Sequence, residues 1–180
     1  MEIRIDVANA AQISAALLQS PEIAIDELQT TMGSVTQNLK RETQEVMAER
    51  RVIAAGTLRA AWDTDINVNQ AAGTVIGRVF NPLSYAIPVE LGTKPHFPPL
   101  APLVNWAEQK LHLSGEDAVR VARGIQRKIG RRGTEARGMA HTALAGAADN
   151  IQAEFAACAR RIVARVAAAG GGAVNPGGAA

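Results

Sequence analysis

Ser20-Pro21 opens the longest periodic run in the chain. A serine hydroxyl can accept from the unpaired amides of a first helical turn, and proline at the first helical position gives up only an N–H that has no partner there. From Glu22 to about Ile53 the apolar residues Ile25, Leu28, Met32, Val35, Leu39, Val46 and Met47 recur mostly at three- and four-residue steps. That spacing gathers them into one stripe on an otherwise polar helix. One face packs and the rest meets water. The stripe suits both a helix lying on its own sheet and an arm reaching a neighbouring subunit, and the two roles are compatible.

The remaining pattern is mixed. Met1–Val7 alternates strictly and reads as a short strand, and Ile13, Leu17 and Leu18 follow helical spacing. Gly56-Thr57 is expected to end the long helix. Leu58 to Val68 then reads as extended, anchored by Trp62, Ile66 and Val68. A polar turn over residues 69–73 leads into the β-rich run Thr74–Phe80, and Asn81-Pro82 turns the chain again. Ser84–Glu90 reads as a third extended segment, placed at a sheet edge by Pro88, which cannot donate to a ladder. Pro95, Pro98, Pro99 and Pro102 predict an extended loop. Two helices follow, Leu103–Leu111 with Trp106, and Glu116 to about Gly130 with Val119, Ile125 and Ile129 inside. Leu144, Ala148, Ile151, Phe155, Cys158, Ile162 and Val166 mark a final amphipathic helix. The expected fold is α+β: a small antiparallel sheet, a long N-terminal helix, a helical insertion at about 101–130 and a C-terminal helix. Residues 1–169 would form one domain, with 170–180 as a flexible Gly/Ala-rich tail.

Composition makes such a core thin. Hydrophobic residues are 47% of the 180, yet aromatics are only 3%, so Ala, Val, Ile and Leu carry the burial. Alanine removes little area from water at roughly 25 cal/mol per Å², which points toward burial supplied by other subunits. The single cysteine, Cys158, excludes an intramolecular disulfide and reads as a small buried apolar residue. Met1–Val7 has no signal-peptide core, and Arg160, Arg161 and Arg165 interrupt the alanine-rich end, so neither export nor a membrane span is expected. The chain reads as a soluble protein made in a cytoplasm.

No chemical site stands out. His96, His112 and His141 are scattered without metal-ligand spacing, and Asp63 and Asp65 read as solvated carboxylates beside a turn. Nucleophile elbow, P-loop and dinucleotide fingerprints are missing, so no enzyme activity, metal or cofactor is expected. The net charge is only +2. Basic residues nonetheless cluster at Arg120, Arg123, Arg127, Lys128, Arg131, Arg132 and Arg137, several on one helix side. They suit either phosphate or the acidic surface of a neighbour, and without aromatics for base stacking a solvated or protein-facing role is favoured.

In the run Tyr85–His96, Gly92 permits a positive φ, Thr93 can bond nearby backbone, and Glu90 can accept from backbone amides or from Lys94. Tyr85-Ala86, Val89-Glu90, Gly92-Thr93 and His96 resemble the "YA..VE.GT..H" signature of tailed-phage tail-completion proteins, the head–tail joining or neck proteins. Gly56-Thr57-Leu58-Arg59 lies where members carry a "TG.LR" element. Trp106-Ala107 with Lys110-Leu111, and Ile125 to Gly133-Thr134, are similar to the "WA..KL" and "I..KI...GT" segments of a longer-loop subgroup. The resemblance covers nearly the whole chain to about Val166.

It implies a structural virion protein of a long-tailed bacteriophage, assembled in the host cytoplasm. Copies would form a ring, expected to be a hexamer, between a head-side connector or stopper protein and the tail terminator or tail tube. Genomic DNA would pass through the channel. Tyr85, Glu90, Gly92, Thr93, Lys94 and His96 would form the subunit or partner contact, and no cofactor is implied. Two alternatives are a tail-terminator ring and a DNA-binding accessory protein using the basic helix 120–137.

Overall fold

The computed structural model describes residues 20–50, 52 and 56–171. The expected opening strand Met1–Val7, the helical spacing at Ile13–Leu18 and the tail beyond Gly171 lie outside the described residues. The fold is α+β. Its elements are α1 (Pro21–Glu49), α2 (Thr57–Ala60), the hairpin strands β1 (Asp63–Asn69) and β2 (Thr74–Phe80), α3 (Ala86–Leu91), α4 (Leu100–Leu111), α5 (Gly115–Arg132) and α6 (Met139–Gly171). They fall into two compact units. One holds the chain up to Leu83 together with the chain from Met139 onward, and the other is Ser84–Gly138.

In the first unit α1 and α6 pack along each other. Their polar partners fix an antiparallel sense: Glu27 meets Arg161 and Arg165, Asn38 meets Glu154, and Arg50 donates to Thr142. The seam of α1 buries Ala24, Ile25, Met32, Val35, Leu39 and Met47. Leu28 is partly buried beside the cluster of Ala24, Cys158, Ala159 and Ile162. Five of the seven predicted stripe positions are therefore buried, Leu28 and Val46 are half-buried, and Ala24 and three threonines join the seam. Thr31, Thr36 and Thr43 are also buried. Thr36 and Thr43 donate their hydroxyls to the carbonyls of Met32 and Leu39 one turn back, at 2.9 and 2.8 Å, so only their methyls face the interior. Thr31 Oγ1 accepts from Arg161 at 2.8 Å.

On α6 the buried face runs through Ala143, Ala147, Ile151, Phe155, Cys158 and Ile162. Ala148, expected on this face, is exposed, because the face leaves Ile151 by four-residue steps through the small Ala147 and Ala143. The helix also continues through Gly170 and Gly171, carried past its expected end by the alanine run 167–169. Cys158 is fully buried, and desolvation pushes its thiol above the ordinary value.

The hairpin lies against α1. Asp63 pairs with Phe80 and Asn69 with Thr74 in an antiparallel register. The expected polar turn closes it, with Asn69 Oδ1 accepting from the Ala72 amide at 3.0 Å. Gln37 donates to Thr64 at 2.8 Å and Lys40 reaches Asp63 at 3.5 Å. Gly77 permits the close approach, since a Cβ there would stand 2.5 Å from the Met32 side chain and 2.7 Å from that of Thr36.

Three expected boundaries shift. Helix α1 stops at Glu49, short of Ile53, with Arg50 as its cap. The segment from Leu58, expected to be extended, begins as the turn of helix α2, because Leu58 and Trp62 are both buried and sit four residues apart. Trp62 Nε1 donates to the Met47 sulfur at 3.1 Å, and buried Asn81 donates to the Leu58 carbonyl at 2.8 Å. Ser84–Glu90 is not a third strand, since Ala86–Leu91 is helical. Pro88 occupies its third position, where an amide would have no intrahelical partner. Pro102 stands likewise third in α4, so that helix starts at Leu100 and shortens the expected loop.

Glu27 makes the best-shielded ion pairs of the first unit. Its side chain is 13% exposed and accepts from Arg161 at 2.8 Å and Arg165 at 2.9 Å. These guanidiniums hold its carboxyl below the ordinary 4.5, with the Arg161 hydrogen bond foremost. A depressed carboxylate contributes stability above its unfolded value that disappears as pH falls through the folded one. Glu27→Gln is expected to lower the urea midpoint at pH 7, and the gap to wild type should shrink below about pH 4.5. A gap independent of pH would mean that the pairs do not stabilise the fold.

Candidate interaction surface

The run Tyr85–His96 lies wholly in the second unit and is organised by backbone. Thr93 and Thr134 exchange two main-chain hydrogen bonds, at 3.0 and 3.2 Å, and their hydroxyls are 3.0 Å apart. Two further amides, of Arg137 and Gly138, donate to the carbonyls of Val89 and Glu90 at 3.0 Å. The two ends of this unit are thus clasped together.

Glycine makes the clasp possible. Gly92 has φ 72°, and a Cβ there would lie 2.5 Å from the Thr134 carbonyl oxygen. Gly133 has φ 70° and would drive a Cβ into the Thr93 carbonyl oxygen. The expectation that Gly92 needs a positive φ and that Thr93 bonds backbone is met in the geometry. Glu90 is 2% exposed, so its side chain is part of the interior. Lys94 and His96 are exposed, with His96 Nδ1 3.0 Å from the Lys94 carbonyl oxygen. The signature therefore divides: Glu90, Gly92 and Thr93 build the clasp, while Tyr85, Lys94 and His96 face solvent.

Sequence reasoning missed the apolar side chains around them. Ile87 is 50% exposed, Leu91 71% and Phe97 70%, beside Tyr85 at 39%. Ile87 and Leu91 are one helical turn apart on α3, a signal that exists only once the segment is read as a helix. Phe97 lies over Gly130, where a Cβ would come within 2.6 Å of the ring. Trp106 and Leu111 of α4 are also surface residues. By contrast, the apolar side chains fully buried in this unit are Ala86, Ala107, Ala118 and Ala122. A unit of this size buries a small fraction of its surface, and an interior whose closed positions are alanines gains little from it.

No family model, curated protein or solved structure matches the chain.

The basic residues lie on α5 and just beyond it. Arg120, Arg123, Arg127, Lys128, Arg131, Arg132 and Arg137 are all exposed. Ala118 and Ala122 mark the opposite, inward face. Arg120 pairs with Asp117 at 2.6 Å. Among the described residues no group of three His, Cys, Asp or Glu side chains converges, and no helix is long and apolar enough to cross a membrane. A groove of about 690 Å³ between α1 and α2 is lined by Arg41, Gln44, Glu45, Met47 and Arg59 among others, with no serine, cysteine or histidine among the described residues of its wall.

Proposed function

We propose that this chain is a structural subunit of a multi-copy assembly, a head–tail joining or tail-completion ring of a long-tailed bacteriophage, and that it works by shape without catalysis. The observation that carries the reading is the second unit, whose most deeply buried apolar side chains are alanines, whose Val119, Ile125 and Ile129 are only half-buried, and whose Ile87, Leu91, Phe97 and Trp106 stand at the surface. Large apolar side chains exposed in this number are what a partner surface covers, and interface cores favour aromatic and aliphatic anchors over charge. The tail-completion signature falls on the same segment. In this reading Tyr85, Lys94 and His96 border the contact, and Glu90, Gly92 and Thr93 fix its shape. Copies close a ring between the head connector and the tail, and the DNA passes through its centre.

Native mass spectrometry and negative-stain images of the purified chain, alone and with neck proteins of a long-tailed phage, test the reading. A six-fold ring is expected. Changing both Ile87 and Leu91 to Asp should leave the thermal midpoint within a few degrees, since both are exposed, and raise the assembly dissociation constant at least about tenfold. A chain that stays a single copy under all these conditions overturns the reading.

A further inference from the structure

Charge is distributed unevenly along this molecule. Helix α5 carries six cations and two carboxylates, a net of +4. The remaining thirteen cations and fifteen carboxylates leave the rest of the chain at −2. The two acids, Glu116 and Asp117, sit in the first turn and Arg131 and Arg132 in the last, an order that the helix dipole favours. The dipole does not account for Arg123 and Arg127, which lie mid-helix, where it has faded.

Successive residues turn by 100°, so Arg120, Arg123, Arg127 and Arg131 fall within an arc of roughly 80° opposite the buried alanines. The row is about 16 Å long. Asp117 holds Arg120. Among the described residues no carboxylate is within ion-pair distance of Arg123, Arg127 or Arg131. Gly124 sits about 20° beyond this arc with nothing within 4 Å of a Cβ placed on it, so that flank of the row is open, while Glu108 and Glu116 share the groove that Arg120, Arg123 and Arg127 line.

We infer that this arginine face is a docking surface for the phosphates of duplex nucleic acid, read without regard to sequence. Duplex DNA presents one charge per about 1.7 Å of axis, so a row of this length faces about ten phosphates. The arc holds no apolar anchor of the kind on which protein partners centre their contacts. It also holds no aromatic side chain on which unpaired bases would stack. Gln126, a potential base reader, donates instead to the Pro98 carbonyl at 2.8 Å. What remains is a set of planar, permanently charged forks suited to phosphate oxygens. The inference stands apart from the ring, because a single copy presents the whole face.

Fluorescence anisotropy of the full chain with a labelled 30-base-pair duplex of mixed sequence tests it between 50 and 200 mM NaCl. With Arg120 held by Asp117, the three remaining arginines predict a slope of log affinity on log salt of about −2.7, a loss of roughly fortyfold over that range. Changing Arg123, Arg127 and Arg131 together to Gln should remove roughly 2.7 from the slope, whereas changing the same three to Lys should retain it. Unaltered circular dichroism would show that both variants are folded. Three results would overturn the inference: no duplex binding at 50 mM salt, a slope untouched by the Gln changes, or displacement of the duplex by poly-glutamate at equal charge. The last would assign the face to an acidic protein surface.

Discussion

Gly133→Ala is expected to open the clasp of the second unit and expose the Thr93 and Thr134 amides to exchange. The alanine would have to adopt φ 70°, a strain of about 1–2 kcal/mol for a residue with a Cβ. Its methyl would also meet the Thr93 carbonyl oxygen and stand 2.9 Å from the Lys94 carbonyl carbon. Backbone cannot yield there without giving up the two main-chain hydrogen bonds between Thr93 and Thr134, worth roughly 1 kcal/mol each. The sum, about 3–4 kcal/mol, falls on a unit with little apolar burial to offset it. Hydrogen exchange resolved by residue should show the loss within 84–138, with α1 and α6 protected as before. Gly124→Ala is the control, because its surroundings are empty and helical alanine outranks glycine by up to about 1 kcal/mol. If both variants exchange alike, the clasp does not hold the unit together.

Phe155→Ala should cost the first unit about 3–5 kcal/mol. Phe155 is 1% exposed and heads the fully buried side chains by volume. Its neighbours along the same face of α6 are Ile151, Cys158 and Ala159, which cannot swell to fill the void. The urea midpoint should fall sharply with an unchanged slope, and Phe155→Leu should recover much of the loss. A deficit under 1 kcal/mol would mean that the seam repacks freely.

The first unit was largely legible because its stripes are long. Seven apolar positions on α1 repeat over several turns, and no other arrangement hides them. Its buried threonines were not legible, because a hydroxyl counts as polar in sequence and becomes harmless only when it bonds one turn back. In the second unit the elements are short, and proline was read by what it forbids. Pro88 and Pro102 suggest extended chain, yet each stands at the third helical position, where a missing amide loses nothing. An extended segment would not bring Ile87 and Leu91 within one turn of each other on one face, as the helix does. The positive φ of Gly92 and the backbone bonding of Thr93 are legible from residue type, but not their partners near residue 134, which lie some forty positions away. Periodicity carries no information about such distant backbone pairing.

The backbone bonds joining Thr93 to Thr134, and Val89 and Glu90 to Arg137 and Gly138, tie off everything between them as a purse string ties a bag. Whatever happens to α4 and α5 inside that loop leaves the neck of the bag at the same width. Lengthening or trimming those two helices should therefore be far better tolerated than changing one residue of the drawstring, which makes α4 and α5 the natural place for related chains to diverge.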